Sequence, residues 1–346
     1  MIGSHRILIG DCIDSMRSLA AGSVRCCVTS PPYWGLRDYG MPGQLGLEST
    51  PDEYVAKMVA VFREVRRVLA DDGTLWLNLG DSYTSGGRDT FGTFTPDSKQ
   101  ATHANIKQTP RAKQPEGLKP KDLVGIPWMM AFALRADGWY LRSDIIWSKP
   151  NPMPESVRDR PTKAHEYIFL LSKQERYYFD HDAIKEKGAY FGLTGQDESG
   201  YKDAKAYNGK HAKADKQRGH SRRRAGFNDR WDAMSKDEQC SRMRNSRSVW
   251  NIATQPFAEA HFATFPEELA DRCVRAGSAI GDTVLDPFGG SCTVGAVACP
   301  LGRNFIGCEL NPEYVAMAKD RIGLACKPNT HRSARPQPSA LFGAKP

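Results

Sequence analysis

At 346 residues the chain is long enough for one large domain, or for one domain carrying an insert, with an ample buried core. Its 48 Lys/Arg against 40 Asp/Glu leave a net charge of +8, which points to a polyanionic partner. No apolar run near the start is long enough for a signal-peptide core or a membrane span, and nine cysteines without a Cys-x-x-Cys pair read as small core residues in a reducing cytosol, not as disulfides or a metal site.

Residues 6–11, Arg-Ile-Leu-Ile-Gly-Asp, read as a strand ending in Asp11, and 13–19 as a helix that Asp11 is suited to cap. The run from Val24 to Val28, broken only by Arg25, reads as a buried strand. It delivers Thr29-Ser30-Pro31-Pro32-Tyr33-Trp34. Two prolines fix two φ angles and remove two N–H groups, so this tip is stiff and rich in acceptors. Such a tip suits a flat ring with an exocyclic NH2, stacked on Tyr33 with its amino hydrogens accepted by Ser30 and Pro31; the plainer alternative is a proline-rich turn. A polar, aromatic loop at 35–40, which includes Arg37, is placed to close over a base.

Residues 51–69 read as an amphipathic helix with Tyr54, Val55, Met58, Val61, Phe62, Val65 and Leu69 on one face. A strand over 73–80 delivers Asp81, either an acid near the site or a loop cap. Residues 84–121 lack apolar periodicity and read as a flexible loop that orders against nucleic acid or has no role. A helix is predicted over 123–136, and strands over 140–147 and 165–171 form a hairpin. The stiff, basic connection between these strands carries Lys149, Arg158 and Arg160, read as facing DNA.

Residues 182–250 break the pattern. Within 201–247 there are 14 Lys/Arg and six Asp/Glu, with Tyr201, Tyr207, Phe227 and Trp231 interleaved. Basic residues grip phosphates, and Arg, Asn and Gln read bases; Arg222, Arg223 and Arg224 are the densest cluster. The alternative is a solvated basic linker. Residues 248–252 return to the core, and Thr264 and Phe265 lead into a helix over 267–276 whose start is acidic, as the helix dipole favours.

A second site signal follows the strand 282–285: Asp286-Pro287-Phe288-Gly289-Gly290-Ser291-Cys292-Thr293, opening a helix over 294–299. Glycines after a strand let the backbone approach a ligand. Glu309 ends the next strand, 303–308, at the spacing where an acidic residue commonly holds a nucleoside ribose. A helix over 312–324 precedes a tail, 327–346, that reads as disordered.

The tip, the glycine loop and Glu309 together resemble the amino-methyltransferases of DNA, in the group that places the Ser/Asp-Pro-Pro-Tyr tip before the S-adenosylmethionine loop. The resemblance implies a Rossmann-like α/β fold with a circularly permuted motif order. Its sheet is mostly parallel and seven-stranded, with an antiparallel final hairpin and a basic target-recognition insert. It divides the chain into a catalytic part (1–181), the insert (182–250), a cofactor-binding part of the same domain (251–326) and the tail. Ser30, Pro31, Pro32 and Tyr33 then carry catalysis. Asp11, Thr264, Phe265, Asp286, Phe288, Gly289, Gly290, Ser291 and Glu309 then hold S-adenosyl-L-methionine, and no metal is expected. The family loop usually has glycine where Cys292 stands. Ser at position 30, where adenine enzymes usually carry Asp or Asn, implies cytosine N4 as the target, with adenine N6 the alternative. The partner implied is double-stranded DNA. A cognate restriction endonuclease, or none in an orphan or phage-borne enzyme, stays open, as does the oligomeric state. The expected setting is the cytoplasm of a prokaryote. More distant readings are an RNA methyltransferase, a non-catalytic DNA-binding protein and a nicotinamide oxidoreductase.

If 284–285 lies beside 26–28, the tip and the glycine loop meet at the sheet's switch point, where open α/β sheets bind ligands. The expected reaction is direct methyl transfer to an aligned amine of a flipped-out base, with the proton leaving afterwards to water or by way of Asp81.

Overall fold

The computed structural model describes residues 2–84, 117–187, 243–255 and 265–326. Most of the loop predicted over 84–121, most of the 182–250 insert, the 327–346 tail, Thr264 and Arg222, Arg223 and Arg224 lie outside the described residues. Two units are distinguished, one from Met1–Asp180 with Ser248–Pro346, the other His181–Arg247.

The larger unit is built on one sheet. Its strands are β1 (His5–Ile9), β2 (Val24–Thr29), β3 (Leu69–Leu79), β4 (Tyr140–Ser148), β5 (His165–Ser172), β8 (Val249–Asn251), β9 (Thr283–Asp286) and β10 (Asn304–Glu309). They lie in the order β1-β10-β9-β2-β3-β5-β4-β8. All neighbours pair parallel except β5, which is antiparallel to both β3 and β4. The α/β fold with an antiparallel last hairpin is thus as predicted, and β9 sits beside β2 with Cys26 opposite Val284 and Cys27 opposite Leu285.

The sheet has an eighth strand beyond the expected seven. β8 is three residues long, too short for a period-two pattern to reveal. It is held parallel to β4 by Ile146 N donating to Ser248 O at 2.8 Å and Ile252 N donating to Ser148 O at 3.1 Å. Its Trp250 is buried against Trp76, ring centroids 6.3 Å apart.

Six helices among the described residues flank the sheet: α1 (Cys12–Arg17), α2 (Pro51–Val68), α3 (Ile126–Ala136), α4 (Glu267–Gly277), α5 (Thr293–Ala298) and α6 (Pro312–Cys326). α2 starts where Thr50 Oγ1 accepts from Glu53 N at 3.1 Å, with Pro51 in the first turn. Its predicted stripe is buried as expected, and Leu69 turns extended to begin β3, four residues earlier than predicted. α3 begins at Ile126, not at residue 123. Gly125 takes a left-handed φ of 85°, and the Asp81 carboxylate accepts from the free amides of Gly125 (2.9 Å) and Ile126 (3.1 Å).

β2 is buried on both faces, as a central parallel strand is when helices cover the sheet on each side. Eight described cysteines are unpaired and seven are buried. Burial pushes the Cys12 and Cys26 thiols up to about 12, so these side chains act as small apolar groups. No helix among the described residues is long and apolar enough to cross a membrane.

In the smaller unit the described residues form a two-stranded ladder, β6 (Glu186–Lys187) against β7 (Met243–Arg244). Glu186 Oε1 accepts from Arg244 at 3.0 Å and from Arg247 at 2.9 Å.

The end of α4 comes so close to the sheet that a Cβ on Gly277 would lie 2.6 Å from Cys26 Sγ and 2.7 Å from Trp76 Nε1. Gly277→Ala is therefore expected to destabilise the fold by about 1–3 kcal/mol through overpacking. Denaturant unfolding checks this, and an unchanged midpoint would contradict the packing described.

Candidate active site

The tip follows β2 at the carboxyl edge of the sheet. Its shape is held from behind: Tyr54 Oη on α2 donates to the Pro32 carbonyl at 2.8 Å. Trp34 Nε1 donates to Glu48 O at 2.8 Å, and Gly35 N to Gly46 O at 2.8 Å. Gly80, just after β3, leaves room for the Tyr33 ring; a Cβ there would lie 2.6 Å from Tyr33 Cε2.

The glycine loop leaves β9 one strand away. Thr29 Oγ1, the last residue of β2, donates to Asp286 Oδ1 at 2.7 Å, bridging 257 residues of sequence. Phe288 N donates to the same oxygen at 3.1 Å, and Gly289 N to Cys308 O at 2.8 Å, so the loop is pinned to both neighbouring strands. Ser291 is buried, and its Oγ accepts from Arg321 on α6 at 2.8 Å. Cys292 takes the left-handed conformation that glycine adopts readily, at φ 52°. For a side-chain-bearing residue this costs about 1–2 kcal/mol. Its sulfur fits because glycines stand at 289 and 307, where an added Cβ would come within 3.0 and 3.3 Å of it.

One cleft is lined by Asp11, Ser30, Pro31, Pro32, Tyr33, Phe265, Asp286, Phe288, Gly289, Gly290, Ser291 and Glu309. Tip and loop residues from opposite ends of the chain thus meet in it. Asp11 also caps α1, its Oδ1 accepting from Ile13 N at 2.8 Å and Asp14 N at 3.1 Å. Arg37 lines the same cleft within the segment that contributes Leu36, Tyr39, Met41 and Gln44. Lys149 has an internal partner: its ammonium pairs with Glu166 and lies 4.4 Å from the centre of the Trp147 ring. Arg160 pairs with Glu155 at 2.7 Å and stacks 3.9 Å from the Tyr83 ring centre, while Arg158 is exposed. Asp81 is the cap of α3 and is not among the residues lining the cleft.

Sequence patterns gave no notice of Asn78, Glu166, Asn311 or Tyr314. Asn311 and Tyr314 follow Glu309 and line the cleft. Asn78 is buried within the apolar run 75–79, the one local sign that it has a polar partner. That partner is Glu166, whose Oε2 takes Asn78 Nδ2 at 3.1 Å and Tyr33 Oη at 2.7 Å. Burial, then the Glu166 charge, pushes the Tyr33 phenol well above its ordinary value, so it stays protonated and can donate.

The electrostatics favour a cation. Burial raises the Asp286 carboxyl to about 7 against the Thr29 and Phe288 hydrogen bonds, and burial also raises Glu309. Glu309 Oε2 already accepts from the loop amide Gly290 N at 2.7 Å, and its Oε1 from Asn311 N at 2.8 Å. A loop whose amide is met by a carboxylate is a poor cradle for a pyrophosphate. The acidic lining suits a guest bearing positive charge.

Residues 24–320 match the family model of DNA methylases, the N6/N4 methyltransferases. The Type II methyltransferase M.Cfr9I of Citrobacter freundii is 48% identical over 313 residues, covering 90% of this chain and 86% of its own length. M.SmaI of Serratia marcescens is 47% identical over 319 residues, covering 92% and 91%. Among solved structures, PvuII DNA methyltransferase, described as cytosine-N4-specific, shares the fold with a TM-score of 0.58 at 18% identity, covering 96% of this chain and 89% of that one. A protein described as a putative DNA modification methylase from Thermus thermophilus, complexed with S-adenosyl-L-methionine, does so with a TM-score of 0.53 at 24% identity, covering 93% and 96%.

The raised Asp286 carboxyl has a pH signature. The folded state holds this proton up to about pH 7, whereas an unfolded Asp releases it near 3.8. Its contribution to stability is therefore lost as pH rises across that window, at up to about 1.4 kcal/mol per unit. Asp286→Asn keeps the oxygen that accepts from Thr29 and Phe288 and removes the titration. In the cofactor-free protein the melting temperature of the variant should gain on the wild type from pH 5 to pH 8; a constant difference would contradict the shift.

Proposed function

The chain belongs to the DNA methylase family of N6/N4 methyltransferases, and on that premise we propose that it transfers a methyl group from S-adenosyl-L-methionine to N4 of a cytosine flipped out of duplex DNA. It is a Type II DNA methyltransferase. The observation that carries the base assignment is Ser30 at the head of the tip, in the cleft shared with Asp286 and Glu309. A neutral hydroxyl there is a short acceptor matched to one amino hydrogen of cytosine.

S-adenosyl-L-methionine supplies an electrophilic methyl group on a sulfonium. Among the residues lining the cleft, Glu309 and Asn311 would hold its ribose, Asp11 and Phe288 its adenine, and Gly289, Gly290, Ser291 and Phe265 the rest. The carboxylates of the cleft favour its positive charge.

Tyr33 offers its ring face to the flipped base. Ser30 Oγ and the Pro31 carbonyl accept the two amino hydrogens. An aromatic amine is a weak nucleophile because its lone pair is conjugated into the ring. Acceptors on both hydrogens favour a more tetrahedral nitrogen and face the positive charge that develops on it. The remaining contribution is alignment, with the amine held in line for displacement. Asp81 is spent on the α3 amides, so the proton leaves after transfer to water at the cleft mouth. The Arg and Lys of 182–250 are the proposed target-recognition residues, and Arg37, Arg158 and Arg160 the proposed phosphate contacts.

Incubating the protein with unmethylated plasmid and labelled S-adenosyl-L-methionine, then digesting the DNA, should place the label on N4-methylcytosine. Label on N6-methyladenine would overturn the base assignment. Ser30→Ala is expected to lower kcat by about 100-fold with cofactor affinity unchanged, and a wild-type rate in that variant would overturn the site assignment.

A further inference from the structure

Ser30, Tyr33 and Glu166 form one hydrogen-bond chain. Ser30 Oγ donates to Tyr33 Oη at 3.4 Å, and Tyr33 Oη donates to Glu166 Oε2 at 2.7 Å. Asn78 Nδ2 donates to the same Oε2 at 3.1 Å and to the Tyr167 carbonyl at 3.1 Å, which fixes the amide and leaves Asn78 Oδ1 3.3 Å from Tyr33 Oη. The far oxygen of the carboxylate, Oε1, is held by the Lys149 ammonium. The pair is largely buried, with side chains 19% and 15% exposed.

The directions in this chain are forced by chemistry. An ionised carboxylate only accepts and an ammonium only donates. The phenolic hydrogen goes to the Glu166 carboxylate at 2.7 Å in preference to the uncharged Asn78 amide oxygen at 3.3 Å, and the phenolic oxygen is left as an acceptor. The serine hydroxyl has one hydrogen and two lone pairs. With that hydrogen given to Tyr33, Ser30 offers only lone pairs to the cleft.

We propose that Glu166 is a positioning residue for methyl transfer: through Tyr33 it commits Ser30 to accept, and never to donate, toward the incoming amine. The proposal rests on the tip's role stated above. Lys149 completes the device, because it balances the carboxylate and fixes which end of the side chain faces the tip.

The pairing makes Glu166→Gln more than the loss of a charge, because it weakens the commitment of the Tyr33 hydrogen away from Ser30. Lys149 can only donate, so it takes the amide oxygen and turns the amide NH2 toward Tyr33. Tyr33 then accepts from the amide and loses its carboxylate acceptor, so its hydrogen is shared between Asn78 Oδ1 at 3.3 Å and Ser30 Oγ at 3.4 Å, and whenever it goes to Ser30 the serine hydrogen is driven into the cleft against the amine hydrogens. Tyr33→Phe removes the oxygen that takes the Ser30 hydrogen but adds no opposing donor. In the double variant the altered amide has no route to Ser30.

The test is methyl transfer to duplex plasmid by the full chain, separating kcat from KM, with S-adenosyl-L-methionine affinity measured by calorimetry. Glu166→Gln should lower kcat roughly tenfold or more, with cofactor affinity held within about twofold. Tyr33→Phe should cost less, and the double variant should match Tyr33→Phe instead of summing the losses. A wild-type kcat in Glu166→Gln, or additive losses in the double variant, would overturn the proposal. If Glu166→Gln fails to bind the cofactor, Tyr33→Phe decides alone, and a wild-type kcat there would sink it. Ser30→Ala separates the two layers: full activity in that variant breaks the reading of the tip itself, whereas lost activity beside a normal Glu166→Gln breaks only the role of Glu166.

Discussion

The hydrogen bond from Thr29 to Asp286, made where β2 and β9 lie side by side, is the constraint on which the site depends. Neither the proline tip nor the glycine loop is a site alone. Parallel pairing puts the carboxyl ends of both strands at one edge, and the Thr29 hydroxyl then fixes the first residue of the loop against the last residue before the tip. The permuted order of the chain costs nothing in geometry, because a sheet brings strands together by register and not by sequence.

On the proposed function, the charges around that junction face two different guests. On the cofactor side, buried Asp286 and Glu309 lie in a cleft that also holds Asp11, and the loop amide of Gly290 is already engaged. That lining penalises an anion and favours a sulfonium. On the base side the surface is neutral at first touch, with a hydroxyl, a carbonyl and an aromatic ring. The Glu166 carboxylate stands one residue back and is balanced by Lys149. A full charge against an uncharged base would cost desolvation, whereas a charge acting through Tyr33, as proposed, would set direction at less cost.

Most of the cleft was legible in the sequence because its signals are local. Ser-Pro-Pro-Tyr after an apolar run, glycines after another, and Glu309 at the end of a third each combine a strand with the chemistry at its tip. The unreadable parts depend on register. Glu166 reaches Tyr33 only because β5 runs antiparallel beside β3, opposing Asn78 to Ile168 and Leu79 to Tyr167. Whether Asp81 faced the site or capped a helix turned on where α3 begins, which Gly125 decides. The left-handed Cys292 was hidden for another reason: a cysteine gives no sign of positive φ, and only the glycines at 289 and 307 make room for its sulfur.

On the proposed function, tip and loop form one site that holds a sulfonium nucleoside against the Ser30 hydroxyl. A crystal structure with S-adenosyl-L-homocysteine and duplex DNA tests it most directly. The ribose is expected on Glu309, the thioether sulfur turned toward Ser30, and a cytosine stacked on Tyr33 with its amino group between Ser30 and Pro31. A nucleoside bound away from Glu309, or a flipped base whose amino group faces away from Ser30, would contradict it.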